Sequence, residues 1–286
     1  MKEGQIIKSI SGEYTIFTGE EKIVCKPRGI FRYKGMTPKV GDYVLVNDDT
    51  KSIVEIKPRK NDLIRPVICN VDKAFLVFSV KEPDLNLNLL DRLLAIIEFN
   101  NIEAVIVFTK LDLLTDYEKY TKIRDYYASL GYKIYESSIS ALPADIVDEV
   151  KSNLCVLAGQ SGVGKSTLLN NIDPRLKLKT SEISQALGRG KHTTRHVELI
   201  EINSGYLADT PGFGTVDFCD MEVSDLSHSF IEFFSHLGKC KYSTCLHINE
   251  PGCEVKKLVE DGAILKSRYD NYLLFVKEIK DSKKKY

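Results

Sequence analysis

The sequence predicts an α/β chain organised around a phosphate-binding loop, with a small β-barrel ahead of it and a helical metal-binding part behind it. Three observations carry this. Residues 154–171, LCVLAGQSGVGKSTLLNN, hold Gly159-x4-Gly164-Lys165-Ser166 between an apolar strand and a helix. From residue 66 onward apolar strands alternate with helices, the pattern of a parallel sheet covered by helices. Cys240, Cys245, His247 and Cys253 crowd into one short stretch.

The chain has 286 residues and no net charge, enough for a sizeable core and two or three domains. The N-terminal MKEGQIIKSISG has no apolar signal-peptide core, and apolar runs such as Ala74 to Phe78 are far shorter than a membrane span. A cytoplasmic location is expected. The neutrality hides an asymmetry: the balance is +4 over 1–65, −7 over 66–239 and +3 over 240–286. Basic ends around an acidic middle favour a polyanionic partner gripped by the outer parts.

Residues 1–65 read as short strands, Gln5–Ile10, Tyr14–Thr18, Lys22–Cys25, Tyr43–Asn47 and Ser52–Ile56, broken by turns such as Ser11-Gly12 and Asn47-Asp48-Asp49. Their number and spacing fit a five-stranded oligonucleotide-binding (OB) barrel. Lys26, Arg28, Arg32 and Lys34 interleave with Phe31 and Tyr33, as in a nucleic-acid-binding loop.

Arg65-Pro66 reads as a boundary. Ala74–Val80 is the next strand, Asn88–Asn100 an amphipathic helix capped by Asn88, and Ala104–Phe108 a strand ending in Thr109-Lys110-Leu111-Asp112. The Asp112 carboxylate can accept from N1–H and N2–H₂ of guanine, a donor pair adenine lacks, so this tetrapeptide selects the base. Lys110 would lie along the base plane. Leu113–Leu130 reads as a helix and Tyr132–Tyr135 as a strand. Ser140-Ala141 is the candidate for a second base-supporting loop, with Ser137-Ser138 as a nearby competitor. Ile146–Lys151 gives one more helix before the phosphate loop.

In that loop Gly159, Gln160, Ser161, Gly162, Val163 and Gly164 would turn backbone N–H groups toward phosphate oxygens, at the positive end of the following helix. Lys165 would neutralise phosphate charge, Ser166 would hold Mg²⁺, and Thr167 completes the cradle. The polar stretch 176–195 carries Thr193 and Thr194, either of which could complete the Mg²⁺ shell as a nucleotide switch. Strands follow at His196–Ile202 and Tyr206–Ala208, the second ending in Asp209-Thr210-Pro211-Gly212. Asp209 would hold Mg²⁺ through water and the Gly212 N–H would sense the γ-phosphate. Phe213 occupies the position where many GTPases place a water-orienting glutamine.

The guanine-reading tetrapeptide precedes the phosphate loop, the reverse of the usual GTPase order. A circular permutation reconciles the two, and it sends the segment after Gly212 straight into the C-terminal part. There, helices are expected at Asp225–Leu237 and Val255–Ile279. The three thiolates and one imidazole between them form a closed tetrahedral donor set suited to structural zinc.

Arg65-Pro66, Asn70-Val71-Asp72, TKLD at 109–112, GQSGVGKST at 159–167, GRGKHTT at 188–194, DTPGF at 209–213 and the cysteine run ending Glu250-Pro251-Gly252-Cys253 together resemble the ribosome small-subunit-dependent GTPase A (RsgA) family. The resemblance implies an OB-fold barrel over 1–65, a circularly permuted P-loop GTPase domain over 66–218 and a zinc-binding helical domain over 219–286. It also implies Mg²⁺ with GTP, an activity stimulated by the small ribosomal subunit, binding to its rRNA, and a role in its late maturation. Thr109 stands where that family more usually has asparagine, which predicts one lost contact between base loop and phosphate loop. Other readings are a P-loop ATPase or kinase, and a nucleic-acid-binding module whose nucleotide site only regulates binding.

Overall fold

The computed structural model describes residues 1–33, 35–64, 66–138, 143–177, 198–209, 217–218 and 221–283. Along the chain run β1 (Lys2–Ile10), β2 (Glu13–Phe17), β3 (Lys22–Pro27), α1 (Gly29–Tyr33), β4 (Tyr43–Asn47), β5 (Ser52–Ile56), β6 (Asp62–Leu63), β7 (Ile68–Cys69) and β8 (Lys73–Ser79). Then come α2 (Leu87–Phe99), β9 (Glu103–Thr109), α3 (Tyr117–Ser129), β10 (Lys133–Glu136), β11 (Leu154–Ala158) and α4 (Lys165–Ile172). Last are β12 (Glu198–Ile202), β13 (Gly205–Asp209), α5 (Val223–His228), α6 (Ile231–Phe234), α7 (Glu254–Glu260) and α8 (Lys266–Lys283). No described helix is long and apolar enough to cross a membrane.

The chain groups into two compact units. The first comprises residues 1–75, 142–157 and 164–214. Its strands run in the order β11-β13-β12-β1-β2-β3-β5-β4, and a further β1–β4 pairing closes β1 to β5 into a five-stranded barrel. Alternation selects the barrel interior: Val44 and Val46 point in while Tyr43 is exposed. Gly4 allows the closure, since a Cβ there would lie 2.6 Å from both Ile16 Cγ2 and the Phe17 carbonyl. The basic–aromatic stretch splits by burial. Phe31 enters the core at 4% exposure, whereas Tyr33 is 93% exposed.

Beyond residue 5 the β1 edge is no longer paired with β4 but with β12, at Lys8 opposite Glu198, and their side chains form an ion pair at 2.8 Å. Residues 59–72 are held by polar side chains. Arg59 grips buried Asp42 with bonds of 2.7 and 2.8 Å. Asn61 bonds both the amide and the carbonyl of Val71, and Asp72 accepts from the Leu154 amide at 2.7 Å.

The second unit comprises residues 76–141, 158–163 and 215–286. Here β10, β9 and β8 are neighbours, β10 and β9 parallel, and the Val80 amide donates to the Thr109 carbonyl at 3.0 Å. β9 is buried from Ala104 to Thr109, as in a sheet covered on both faces. The cap of α2 is Asn86, whose side chain accepts from the Leu89 amide at 3.0 Å, not Asn88. Asn88 instead donates to Asn271 of α8 at 2.8 Å. The helix expected over 113–130 starts later, at Tyr117, because Asp116 caps it by accepting from the Lys119 amide. In the first unit, residues Ala144–Glu149 form a 3₁₀ helix, where a helix was expected over 146–151.

Two expected C-terminal helices are each broken. The first divides into α5 and α6, because Phe230 adopts an extended backbone that buries its ring completely. The second divides into α7 and α8 at Gly262, whose φ of +77° lets the chain reverse while Ala263 and Ile264 amides cap the Leu258 carbonyl.

At the centre of this unit lies an ion cluster closed to water. Arg268 of α8 is 1% exposed. It donates to Asp91 of α2 at 2.6 Å and to both carboxylate oxygens of Glu232 of α6 at 2.5 and 3.2 Å. Tyr127 of α3 and Asn271 of α8 complete Asp91, at 2.6 and 2.7 Å. Removing the cation from such a site strands both carboxylates. Arg268→Ala is therefore expected to lower stability by about 3–5 kcal/mol, read as a lower urea midpoint with unchanged slope. An unmoved midpoint would mark the cluster as energetically idle.

Candidate functional site

The phosphate loop starts directly at the end of β11. Gly159 has φ +141°, and a Cβ on it would sit 2.1 Å from the Val77 carbonyl oxygen, so only glycine fits. Gly162 and Gly164 also have positive φ, at +80° and +95°. Gly164 is the N-cap of α4, and its carbonyl accepts from Leu168 at 2.9 Å. Lys165, Ser166 and Thr167 thus form the first turn of α4, at the positive end of the helix dipole. Burial lowers the Lys165 pKa from its ordinary value, a cost that a bound phosphate would reverse. Ser166 is buried and Thr167 exposed.

Thr109 ends β9 fully inside the unit. Its hydroxyl donates to the Val163 carbonyl at 2.6 Å, with the Phe78 carbonyl further away at 3.4 Å. The contact expected to be lost with asparagine is therefore supplied by threonine. The next residue, Lys110, turns the chain with φ +58°, and its ammonium donates to the Glu82 carbonyl. Leu111 donates its amide to Ser137 at 3.3 Å, and the Ser137 amide bonds Phe108 at 2.8 Å. Asp112 is exposed, on a 3₁₀ turn over Leu111–Leu113. Sequence reasoning missed the Val163 carbonyl because main-chain groups carry no residue signal, while the Ser137 backbone that meets Leu111 belongs to the competing loop the sequence offered. A cleft of about 350 Å³ lies between residues 80–87 and 114–123, lined by Leu85, Leu114 and Tyr120 among others. It includes no residue of the tetrapeptide or the phosphate loop.

Ser140, Ala141, Thr193, Thr194 and Gly212 lie outside the described residues, as does the side chain of Asp209 at the end of β13.

The ligand atoms of Cys240, Cys245, His247 and Cys253 all lie within 4.8 Å of one another. His247 Nδ1 is 3.6, 3.5 and 3.4 Å from the three sulfurs. A tetrahedral ion with bonds of ~2.3 Å to sulfur and ~2.05 Å to nitrogen would space these atoms about 3.6 Å apart. The three nitrogen–sulfur edges of the cage are thus already close to those of a four-coordinate metal. Glu250 accepts from the Leu246, Ile248 and Asn249 amides, and Tyr269 and Tyr272 of α8 donate to the His247 and Leu246 carbonyls. These supports were not read from the sequence, since aromatic residues on a helix look like core. His247 Nε2 is buried and finds no partner among the described residues.

The family model for the RsgA GTPase matches residues 56–219, and that for the RsgA N-terminal domain matches residues 3–54. The chain belongs to the RsgA GTPase family. It is 48% identical over 298 residues to the small ribosomal subunit biogenesis GTPase RsgA of Bacillus subtilis, covering all of both chains. It is 46% identical to the protein of the same name from Enterococcus faecalis, covering 99% of this chain and 97% of that one. Among solved structures, YloQ, described as a circularly permuted GTPase, superposes with a TM-score of 0.81 at 43% identity, covering 99% of this chain and 96% of that one. YjeQ from Thermotoga maritima does so with 0.79 at 35% identity, covering 97% and 98%. The barrel and the permuted motif order are thus those of an RsgA-type chain.

Thr109→Val leaves the Val163 carbonyl without its hydroxyl. Guanine-nucleotide affinity should fall about 5- to 30-fold, the worth of 1–2 kcal/mol, in titrations with fluorescent GDP. Thr109→Asn, able to donate an amide N–H, should stay within about twofold of the parent. Equal affinity of the valine variant would remove this tie from the account.

Proposed function

We propose that this protein hydrolyses GTP to GDP and phosphate during late assembly of the small (30S) ribosomal subunit, binds rRNA of that subunit, and is stimulated by it. The observation that carries the reading is the 2.6 Å bond from Thr109 to Val163, which fastens the guanine-reading tetrapeptide to the phosphate loop. In this reading Asp112 selects guanine, Thr109, Lys110, Leu111, Ser140 and Ala141 frame the base, and residues 159–167 cradle the phosphates. Lys165, the switch threonines 193 and 194, and Gly212 act on the γ-phosphate. Ser166, Thr194 and Asp209 hold Mg²⁺, which supplies charge neutralisation on the phosphates.

The relatives named for small-subunit biogenesis support the partner. Tyr33, almost wholly exposed on the barrel, adds a face on which an unpaired base could stack. The chain would act as a cytoplasmic monomer in three parts, 1–65, 66–218 and 219–286. The cage at Cys240, Cys245, His247 and Cys253 would hold one structural zinc ion, because four protein donors leave no open position for chemistry.

The following measurements test this reading. GTP turnover, slow alone, should rise many-fold with small subunits and not with large ones, while ATP is untouched. Equal stimulation by both particles, or ATP turnover, would overturn the assignment. Asp112→Asn should move preference from guanine to xanthine nucleotides, and Lys165→Ala should abolish turnover while keeping salt-dependent RNA affinity. Metal analysis of dialysed protein should find one zinc per chain, and Cys245→Ser should lose it with a lower melting temperature. A metal-free parent of undiminished stability would refute the zinc assignment.

A further inference from the structure

β8 ends at Ser79, and the chain turns back on itself over residues 81–84. Ser79 is 1% exposed, and its hydroxyl donates to the Pro83 carbonyl at 2.7 Å. This bond folds the turn against the end of the strand. Within the turn Glu82 is exposed and has φ +53°. Its carbonyl accepts from the Lys110 ammonium, and Lys110 itself has φ +58°. Residues other than glycine seldom adopt this backbone region, and surrounding contacts must hold them there. Two such residues are thus joined by one charge-assisted bond. The exposed Lys81–Asp84 ion pair across the same turn contributes little. The buried Ser79 bond is the stronger tie.

The strand that carries Ser79 also meets the other nucleotide elements. The Val77 carbonyl lies against Gly159, and the Val80 amide donates to the Thr109 carbonyl. The turn therefore starts from a point fixed against both the phosphate loop and the tetrapeptide. None of residues 79–83 belongs to a nucleotide motif. Lys110 carries its charge on a flexible four-carbon stem. A free stem loses rotamer freedom when a base settles against it, and that loss subtracts from affinity. A carbonyl that captures the ammonium lays the stem out beforehand. It can do so only while it stays in place, and the Ser79 bond keeps it there.

We propose that Ser79 is a positioning residue for the guanine nucleotide. It pins the 81–84 turn, the Glu82 carbonyl holds the Lys110 ammonium, and the Lys110 stem stands ready as a wall along the base plane. The proposal rests on the reading of Lys110 as a base contact.

The test titrates the full chain with fluorescent GDP, and with inosine diphosphate in competition. Ser79→Ala should weaken both nucleotides by the same factor, about 5- to 10-fold, because the stem meets the ring plane that both bases share. Ser79→Thr keeps the hydroxyl and should stay within about twofold of the parent. Lys110→Met keeps most of the stem and loses the ammonium, so Ser79→Ala added to it should cost nothing further. Parental affinity in Ser79→Ala, or an equal loss in Ser79→Thr, would overturn the proposal. So would a loss that persists beside Lys110→Met, or a changed ratio of the two affinities. Should Ser79→Ala fail to fold, exposed Glu82 decides the same question. Glu82→Val is ill suited to φ +53° and should weaken GDP alike, whereas Glu82→Asn tolerates that angle and should not. A parent that binds no guanine nucleotide would instead refute the reading beneath it.

Discussion

The C-terminal half of the molecule depends on one guanidinium without access to water. Arg268 satisfies two carboxylates from two other helices, and those carboxylates are completed by tyrosine and asparagine donors. Burying three charges carries a large desolvation penalty, and only a fully bonded arrangement offsets it. The geometry is therefore all-or-none, and it fixes the rotation of α8. Arg268, Asn271, Phe275 and Glu278 recur at intervals of three and four, so they lie along one side of that helix. All four meet partners brought by α2. The neighbouring positions Tyr269 and Tyr272 then face the metal cage and hold its loop by two carbonyls. One helix seats the cysteine–histidine loop and grips the helix that precedes β9.

Much of this was legible in the sequence, and the residues that were legible share a property. The phosphate loop needs glycine at 159, where a Cβ would come within 2.1 Å of a carbonyl oxygen, and the cage needs sulfur and imidazole at fixed spacing. Such demands admit few residue types and leave a pattern. Barrel strands were legible through alternation, and β8 and β9 through continuous burial. Boundaries were less so. Asn86 and Asn88 are equally good caps in isolation, and tertiary pairing of Asn88 with Asn271 decides between them. The break at Phe230 comes from a ring seeking the core, which no local preference announces. The cluster around Arg268 was invisible, because an arginine amid helical sequence reads as solvated surface until its partners, 36 and 177 residues away, are known.

Thr109 shows how a substitution at a motif position can be judged only from distance. A threonine hydroxyl is shorter than an asparagine amide, so it serves only if the accepting carbonyl comes close. At 2.6 Å the Val163 carbonyl does, and the single hydroxyl proton is committed to it.

The pairing of Lys8 with Glu198 bears on how the first unit could ever be divided. β1 spends one edge on β2 and the other on β4 for its first residues, and its remaining edge lies beside β12. Excising the barrel would uncover strand edges on both pieces, β1 beyond residue 5 and β12 just ahead of the DxxG strand. Bare edges of this kind recruit other chains. A deletion variant lacking residues 1–65 would therefore report on a frayed sheet as much as on a missing RNA contact. The same geometry ties the barrel to the β12–β13 hairpin along one continuous run of strands, so the two are built as one piece.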